Sequence, residues 1–313
     1  MDQPKQISFR DSTLREGLDT PGVSFSPEQK LRIAMILDEA EVPEIEIVAP
    51  SRVLHDLEPA RSIRERIPRL ITSGLLYAYT PRAREEVKEA SYSLHRFDLL
   101  MPVSERREPF NRSSKVTLLG EILAFALSHH SQVGVGFPHS MQTDQEFLLE
   151  ISHRAVKEGA TRLTIYDTNG SADPFSVHAL IARLRSELDV AIFFHGHNDL
   201  GLATANALAA VRAGAHGLDV TVNGLGDRAG NASLEQVALA LHLGGFQTGV
   251  TLRNLKKLSE AIEKESGVPV SKLAPVVGDF VLQHKSPSHL KDPDLFEAFD
   301  PEIIGSERKL DQP

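Results

Sequence analysis

Short apolar runs alternate along the chain with longer stretches in which apolar residues recur every three to four positions. That is the rhythm of buried strands separated by amphipathic helices. The strand-like runs are Ile7–Arg10, Glu44–Val48, Leu70–Leu75, Phe97–Pro102, Gln132–Phe137, Arg162–Tyr166, Val190–Phe194 and Gly217–Val222. Helical stretches include Pro27–Glu39, with Ile33, Ile36 and Leu37 on one face, then Pro81–Ala90, Leu118–His129, Asp144–Lys157, Pro174–Glu187 and Ala203–Ala213. Ser26-Pro27-Glu28 has the form of an N-cap followed by proline at the first helical position. Gly159 and Gly214 each stand just past a helix, where a C-cap glycine belongs.

Eight strands alternating with helices match the size and rhythm of a (β/α)8 TIM barrel, with a doubly wound open sheet as the competing fold. No glycine-rich phosphate loop follows the first strand. From Leu252 onward the pattern changes: a helical stretch to Ser266 gives way to proline-punctuated chain at Pro269, Pro275, Pro287, Pro293 and Pro301. We therefore expect a catalytic barrel over residues 1–250 and a short C-terminal appendage over 251–313 that does not fold on its own. There are no internal repeats.

Composition narrows the classes. The 313 residues carry a net charge of −9, which argues against a nucleic-acid backbone as partner. The absence of cysteine excludes disulfides, thiolate metal sites and thiol nucleophiles. No apolar run reaches the length of a membrane span, and the N-terminus lacks the form of a signal peptide. The expectation is a soluble cytoplasmic protein.

In a barrel, catalytic groups gather at the C-terminal ends of the strands, and three such ends are rich in polar residues. Arg10-Asp11-Ser12-Thr13-Leu14-Arg15-Glu16-Gly17 sets arginine beside carboxylate, a cation for an anionic substrate and an oxygen ligand for a metal; a surface salt-bridge cluster is the plainer reading. Phe194-His195-Gly196-His197-Asn198-Asp199 places two histidines at strand spacing, so both imidazoles point to one face. With a carboxylate they could form a three-ligand site with open positions, or simply be structural. Thr221 to Asn231 alternates glycines with amide and charged side chains, either as a tight turn or as a loop bringing Asn223 or Asn231 near a metal.

Taken together, these segments resemble the metal-dependent acyl-CoA condensing and cleaving barrels, a family that includes isopropylmalate synthase, homocitrate synthase and hydroxymethylglutaryl-CoA lyase. The resemblance spans residues 7–250 and is strongest in HGHNDLGLATANALAAVRAGAHGLDVTVNGLGDRAGNASLE, residues 195–235. It implies that Glu16, His195 and His197 bind a divalent metal (Mg²⁺, Mn²⁺ or Zn²⁺), with Asn231 a further ligand or close neighbour. It also implies that Arg15 stabilises the developing enolate and the ketone oxygen, and that Thr168 contacts the carboxylate of a 2-oxo acid. The implied activity is Claisen-type condensation of acetyl-CoA with a 2-oxo acid, with a metal-dependent lyase or aldolase as the alternative. The lyase branch depends on a loop cysteine, which this chain lacks. A homodimer exchanging the region after Leu252 is implied as well.

Departures from the family pattern point to an unusual substrate. Leu18-Asp19 stands where the synthases have Glu-Gln, and Pro138-His139 with Gln142 replaces the Ser-x-Glu-Asp stretch and its arginine. His139 and Gln142 are therefore candidate contacts to the substrate side chain, with Arg82, Tyr77 and Tyr79 close by in the barrel order. Ser286-Pro287-Ser288-His289 is the nearest match to the appendage's histidine motif, and the family tyrosine falls on Phe296. His289, or else His284, is left as the proton-transfer candidate. The end at Pro313 reads as lacking the leucine-binding regulatory domain. Candidate oxo acids are 2-oxoglutarate, phosphonopyruvate, phenylpyruvate and oxaloacetate. A non-catalytic binding protein on the same barrel is a third reading.

Overall fold

The structure, a computed structural model, describes residues 5–105 and 111–310. Eight parallel strands close into a barrel: β1 (Ser8–Asp11), β2 (Glu44–Val48), β3 (Ile71–Tyr77), β4 (Arg96–Leu100), β5 (Val133–Phe137), β6 (Arg162–Asp167), β7 (Ala191–Gly196) and β8 (Gly217–Val220). Ring closure is direct, since β1 pairs with β8 from Ser8↔Gly217 to Asp11↔Val220. The sheet is thus the TIM barrel expected from the alternation, not the open sheet.

One helix follows each strand: α1 (Pro27–Glu39), α2 (Val53–Arg66), α3 (Ala83–Ser93), α4 (Arg112–Leu127), α5 (Gln145–Glu158), α6 (Pro174–Glu187), α7 (Ala203–Arg212) and α8 (Leu234–Leu243). Ser26 caps α1 reciprocally: its Oγ accepts from the Gln29 N–H at 3.2 Å while Gln29 Oε1 accepts from the Ser26 N–H at 3.0 Å. Gly159 ends α5 in the left-handed conformation (φ 102°), and Gly214 does the same one residue beyond the cap of α7. Two helices, α2 and α8, lie outside the stretches singled out from the pattern. The first carries Pro59 in its interior, and the second begins directly after the polar loop that follows β8. Helix α4 starts six residues earlier than its apolar run, because Asn111 caps it by accepting from the Ser114 N–H at 2.9 Å. Strand β8 stops at Val220, where the chain enters a 3₁₀ turn with Asn223 at φ 58°.

The inside of the barrel is ionic where branched apolar layers are usual. Arg10 donates from Nε and Nη2 to the two oxygens of Asp219, each at 2.7 Å, and from Nη1 to Asp98 at 2.7 Å. Arg162 joins the same layer through Asp98 at 2.8 Å and Glu44 at 2.8 Å. The Phe193 ring lies near both guanidinium groups, 5.8 Å from Arg10 and 5.2 Å from Arg162. Gly217 makes room for it, since a Cβ there would sit 2.4 Å from the ring.

Beyond β8 the chain forms α9 (Leu255–Ser266), preceded by a 3₁₀ turn at Leu252–Asn254. Its buried face, Leu255, Leu258 and Ile262, packs into the main core. The rest is short and irregular: β9 (Gln283–His284), α10 (Pro287–Lys291) and β10 (Lys309–Leu310), the two strands forming a small parallel ladder. It is pinned by His284 to Glu297 at 2.8 Å and by Arg308 to Glu297. No helix among the described residues is long and apolar enough to cross a membrane.

Candidate metal and substrate site

After β1 the chain folds back on itself in one turn, with the Arg15 and Glu16 N–H groups both donating to the Ser12 carbonyl, at 2.9 and 2.7 Å. This turn aims two buried, charged side chains at the barrel mouth. Arg15 bonds to Glu16 and, through Nε, to Glu46 of β2, which also accepts from Ser12 Oγ at 2.8 Å. Its Nη2 is buried and has no partner among the described residues. Burial works against both charges. Glu16 and Glu46 outweigh it and raise Arg15, while Arg15, His195 and His197 outweigh it and hold the Glu16 carboxyl at about 2.

Strand β7 delivers the imidazoles. His195 is wholly buried and His197 nearly so, with their Nε2 atoms 3.4 Å apart. His195 Nδ1 lies 3.0 Å from Asp219 Oδ2, which assigns the proton to Nδ1 and turns the Nε2 lone pair toward Glu16, 3.5 Å away. Burial, and then the neighbouring His195, hold His197 down at about 4, so it is neutral at physiological pH. Ligand atoms of Glu16, His195 and His197 all lie within 4.8 Å of one another. Asn231 comes from the loop after β8, which folds against the end of β7 through Asn198 N–H to Gly230 C=O at 2.8 Å and Ala232 N–H to Gly196 C=O at 3.2 Å. Its Nδ2 meets His195 Nε2 at 3.0 Å while its Oδ1 is buried without a partner among the described residues. A half-turn of the amide would present that oxygen at the same point. One carboxylate, two imidazoles and an amide oxygen are a donor set that fits a divalent ion.

Above these groups opens a cavity of about 430 Å³. Arg15, Glu16, His197, Thr168 and Arg228 line it together with Leu75, Tyr77, Leu100 and Pro138. Tyr166, 5% exposed, lines it too, its ring 4.6 Å from that of His195 and its hydroxyl raised well above its usual range by burial. At the rim, Arg228 is held by Asp199 at 2.7 Å, by Asp227 at 2.8 Å and by the Thr168 carbonyl at 2.8 Å.

The structure thus brings together Arg15, Glu16, His195, His197 and Asn231, with Thr168 at the cavity wall. Other residues singled out in the sequence lie elsewhere. His139, in left-handed conformation at φ 61°, turns its ring to Asn169 (3.0 Å) and gives only its backbone N–H to Thr168 Oγ1 (2.8 Å). Gln142 donates to Ser171 at 2.9 Å. Neither side chain lines the cavity, which meets Pro138 instead. Asn223 donates from Nδ2 to the Ser259 carbonyl at 2.9 Å, anchoring α9 and not joining Glu16, His195 and His197. Arg82 pairs with Glu85 on the exposed start of α3. His289 lies in α10, its ring stacked 3.9 Å from Phe296 and its Nδ1 3.3 Å from that of His284. It too is absent from the cavity lining of its own chain. Glu46 and Asp219, which orient Arg15 and His195, went unnoticed in the sequence. Their signal was acids at inward positions of strands, Glu46 with Glu44 on β2 and Asp219 on β8, which need buried cations or donors.

Fold and site define a (β/α)8 barrel with a buried carboxylate–bis-imidazole cluster at its C-terminal mouth. The HMGL-like family model matches residues 6–262, and the chain belongs to that family. It is 34% identical to 2-isopropylmalate synthase 2 of Caldanaerobacter subterraneus subsp. tengcongensis, over 98% of this chain and 81% of the relative. It is also 34% identical to homocitrate synthase 1 of Nostoc sp., over 97% of this chain and 82% of the relative. Among solved structures, the HMG-CoA lyase of Bacillus subtilis superposes with a TM-score of 0.74 at 22% identity, covering 86% of this chain and 97% of the lyase; that likeness concerns the fold.

Proposed function

We propose that this protein catalyses a Claisen-type condensation of acetyl-CoA with a 2-oxo acid, an acyl transfer in which the acyl group becomes an alkyl group, after which water cleaves the thioester to give CoA and a 2-substituted malate. The observation that carries the reading is the convergence of Glu16, His195 and His197 beside the unpartnered Nη2 of buried Arg15, at the mouth of a barrel whose relatives are named as synthases. A divalent ion held by Glu16, His195 and His197, with Asn231 alongside, would draw electron density from the carbonyl of the oxo acid.

The chain's own groups supply the rest. Thr168, fixed by the His139 N–H, offers its hydroxyl to the carboxylate of the oxo acid. Arg15, locked by Glu16 and Glu46, presents Nη2 where the ketone oxygen gains charge, a donor already oriented before reaction. The wall of Leu75, Tyr77, Leu100 and Pro138 receives the oxo acid's side chain and keeps water from it. We assign removal of the acetyl methyl proton to His289, supplied by the C-terminal segment of a partner subunit in a homodimer. The catalytic barrel (residues 1–250) and the C-terminal subdomain (251–313) are separate parts of this scheme.

Thiol release from acetyl-CoA tests the reading. A panel of 2-oxo acids is offered to the protein loaded in turn with Mg²⁺, Mn²⁺ and Zn²⁺. Release of CoA that needs both an oxo acid and a divalent ion is expected. Folded, metal-loaded protein that releases none with any oxo acid, yet forms acetyl-CoA or pyruvate from hydroxy acids or their thioesters, would establish the lyase or aldolase reading instead.

A further inference from the structure

The inward-facing positions of β6 are Arg162, Thr164 and Tyr166. The first two are consumed by the ionic layer: Arg162 pairs with Asp98 and Glu44, and Thr164 donates to Asp98 at 3.0 Å. Tyr166, one step nearer the mouth, has no such partner. Its ring lines the cavity beside His195, and its Oη is buried without a hydrogen bond among the described residues. A buried hydroxyl left unpaired is destabilising, and a phenylalanine would avoid that cost in the same space. The neighbouring strand also yields to this ring. Gly136 of β5 lies beneath it, where a Cβ would come within 2.9 Å of Cε2 and 3.4 Å of Oη. A position that demands a missing side chain on β5 and leaves a donor unpaired is poorly explained by packing.

Two of the unpaired atoms around the cavity offer the same kind of contact. Tyr166 Oη and Arg15 Nη2 are both donors, and both belong to side chains lining the same cavity as Glu16 and His197. We infer that Tyr166 is a second hydrogen-bond donor, beside Arg15, to the ketone oxygen of the 2-oxo acid as the new carbon–carbon bond forms. The inference rests on the condensation reading. Once the acetyl methyl group has given its proton to a base, the resulting electron pair forms the bond to the ketone carbon. The carbonyl π pair moves onto oxygen, which thereby gains a full negative charge. Tyr166 O–H and Arg15 N–H bond to that oxygen and keep their own protons, and the oxygen is later protonated from water. The interaction strengthens as charge develops, so its effect falls on turnover more than on binding.

Tyr166→Phe tests this with the ring retained. Compared with the wild type, the metal-loaded variant is expected to keep its metal content and melt at the same temperature or higher, because an unpaired hydroxyl has been removed. Its kcat is expected to fall roughly 100-fold or more, the usual loss for one such donor, while KM for the 2-oxo acid changes by less than about threefold. A variant with kcat within about twofold of the wild type would overturn the assignment. So would one that loses its metal or melts well below the wild type, since the hydroxyl would then be structural. A wild-type protein that releases no CoA overturns the condensation reading itself, a result distinct from an active wild type matched by an equally active variant.

Discussion

Asp11 is wholly buried at the end of β1, where the N–H and hydroxyl of Thr13 donate to its two oxygens at 3.0 and 2.9 Å. Burial pushes its carboxyl from 3.8 up to about 7. Between those values the folded chain holds a proton that the unfolded chain has released. The associated stability is therefore complete below pH 3.8 and is lost as the pH rises through 7. Asp11→Asn, which keeps the shape without the titration, is expected to lose less melting temperature than the wild type between pH 5 and pH 8; parallel curves would count against the assignment. At the same scale, His195→Ala removes the imidazole that Asp219 orients, and bound divalent ion measured after dialysis should drop from one per chain to near zero. The convergence of His195 and His197 was legible because two histidines at strand spacing must share a face, whereas Glu16 joined them only through the family resemblance. Glu46 and Asp219 were not, because an acid in a strand does not reveal which buried cation it meets. His139 and Gln142 looked like substrate contacts from their place after β5. A left-handed residue at 139 turns that stretch toward Asn169 and Ser171 instead.

Among the elements, the strands obeyed their apolar rhythm to within a few residues, while helix ends followed capping side chains that periodicity does not weigh. What the pattern concealed was the filling of the barrel. Arg10 is wholly buried among Asp98, Asp219 and Glu46, and burial lowers its pKa less than those carboxylates raise it. Removing one member of such a network leaves buried charge uncompensated. Arg10→Met is expected to cost about 3–5 kcal/mol in urea unfolding, with the midpoint shifted and the slope unchanged. A loss below about 1 kcal/mol would mean that the carboxylates share protons readily enough to dispense with the arginine.

For the whole molecule, the strand ends of β3, β4 and β5 bring Leu75, Tyr77, Leu100 and Pro138 into the lining of the cavity that Arg15, Glu16 and His197 also line, an apolar wall for a substrate side chain. Hydrocarbon or aromatic 2-oxo acids are accordingly expected to give a kcat/KM at least about tenfold above that of 2-oxoglutarate, a difference of about 1.4 kcal/mol. Equal rates with the dicarboxylate would place its second carboxylate against a cation outside this wall. The net charge of −9 says nothing of this polarity, which is local. The role proposed for His289, which is stacked on Phe296 and absent from the cavity lining of its own chain, requires a second subunit. Light scattering is expected to return twice the monomer mass, and a monomer with full activity would remove His289 from the scheme. The central question is whether a carbon–carbon bond is made. Acetyl-CoA labelled with ¹³C in its methyl group, incubated with metal-loaded protein and a hydrocarbon 2-oxo acid, should give free CoA and a ¹³C-methylene of a 2-hydroxy diacid in equal amounts, and neither with His195→Ala. Free CoA accompanied only by labelled acetate would show simple thioester hydrolysis and contradict the condensation.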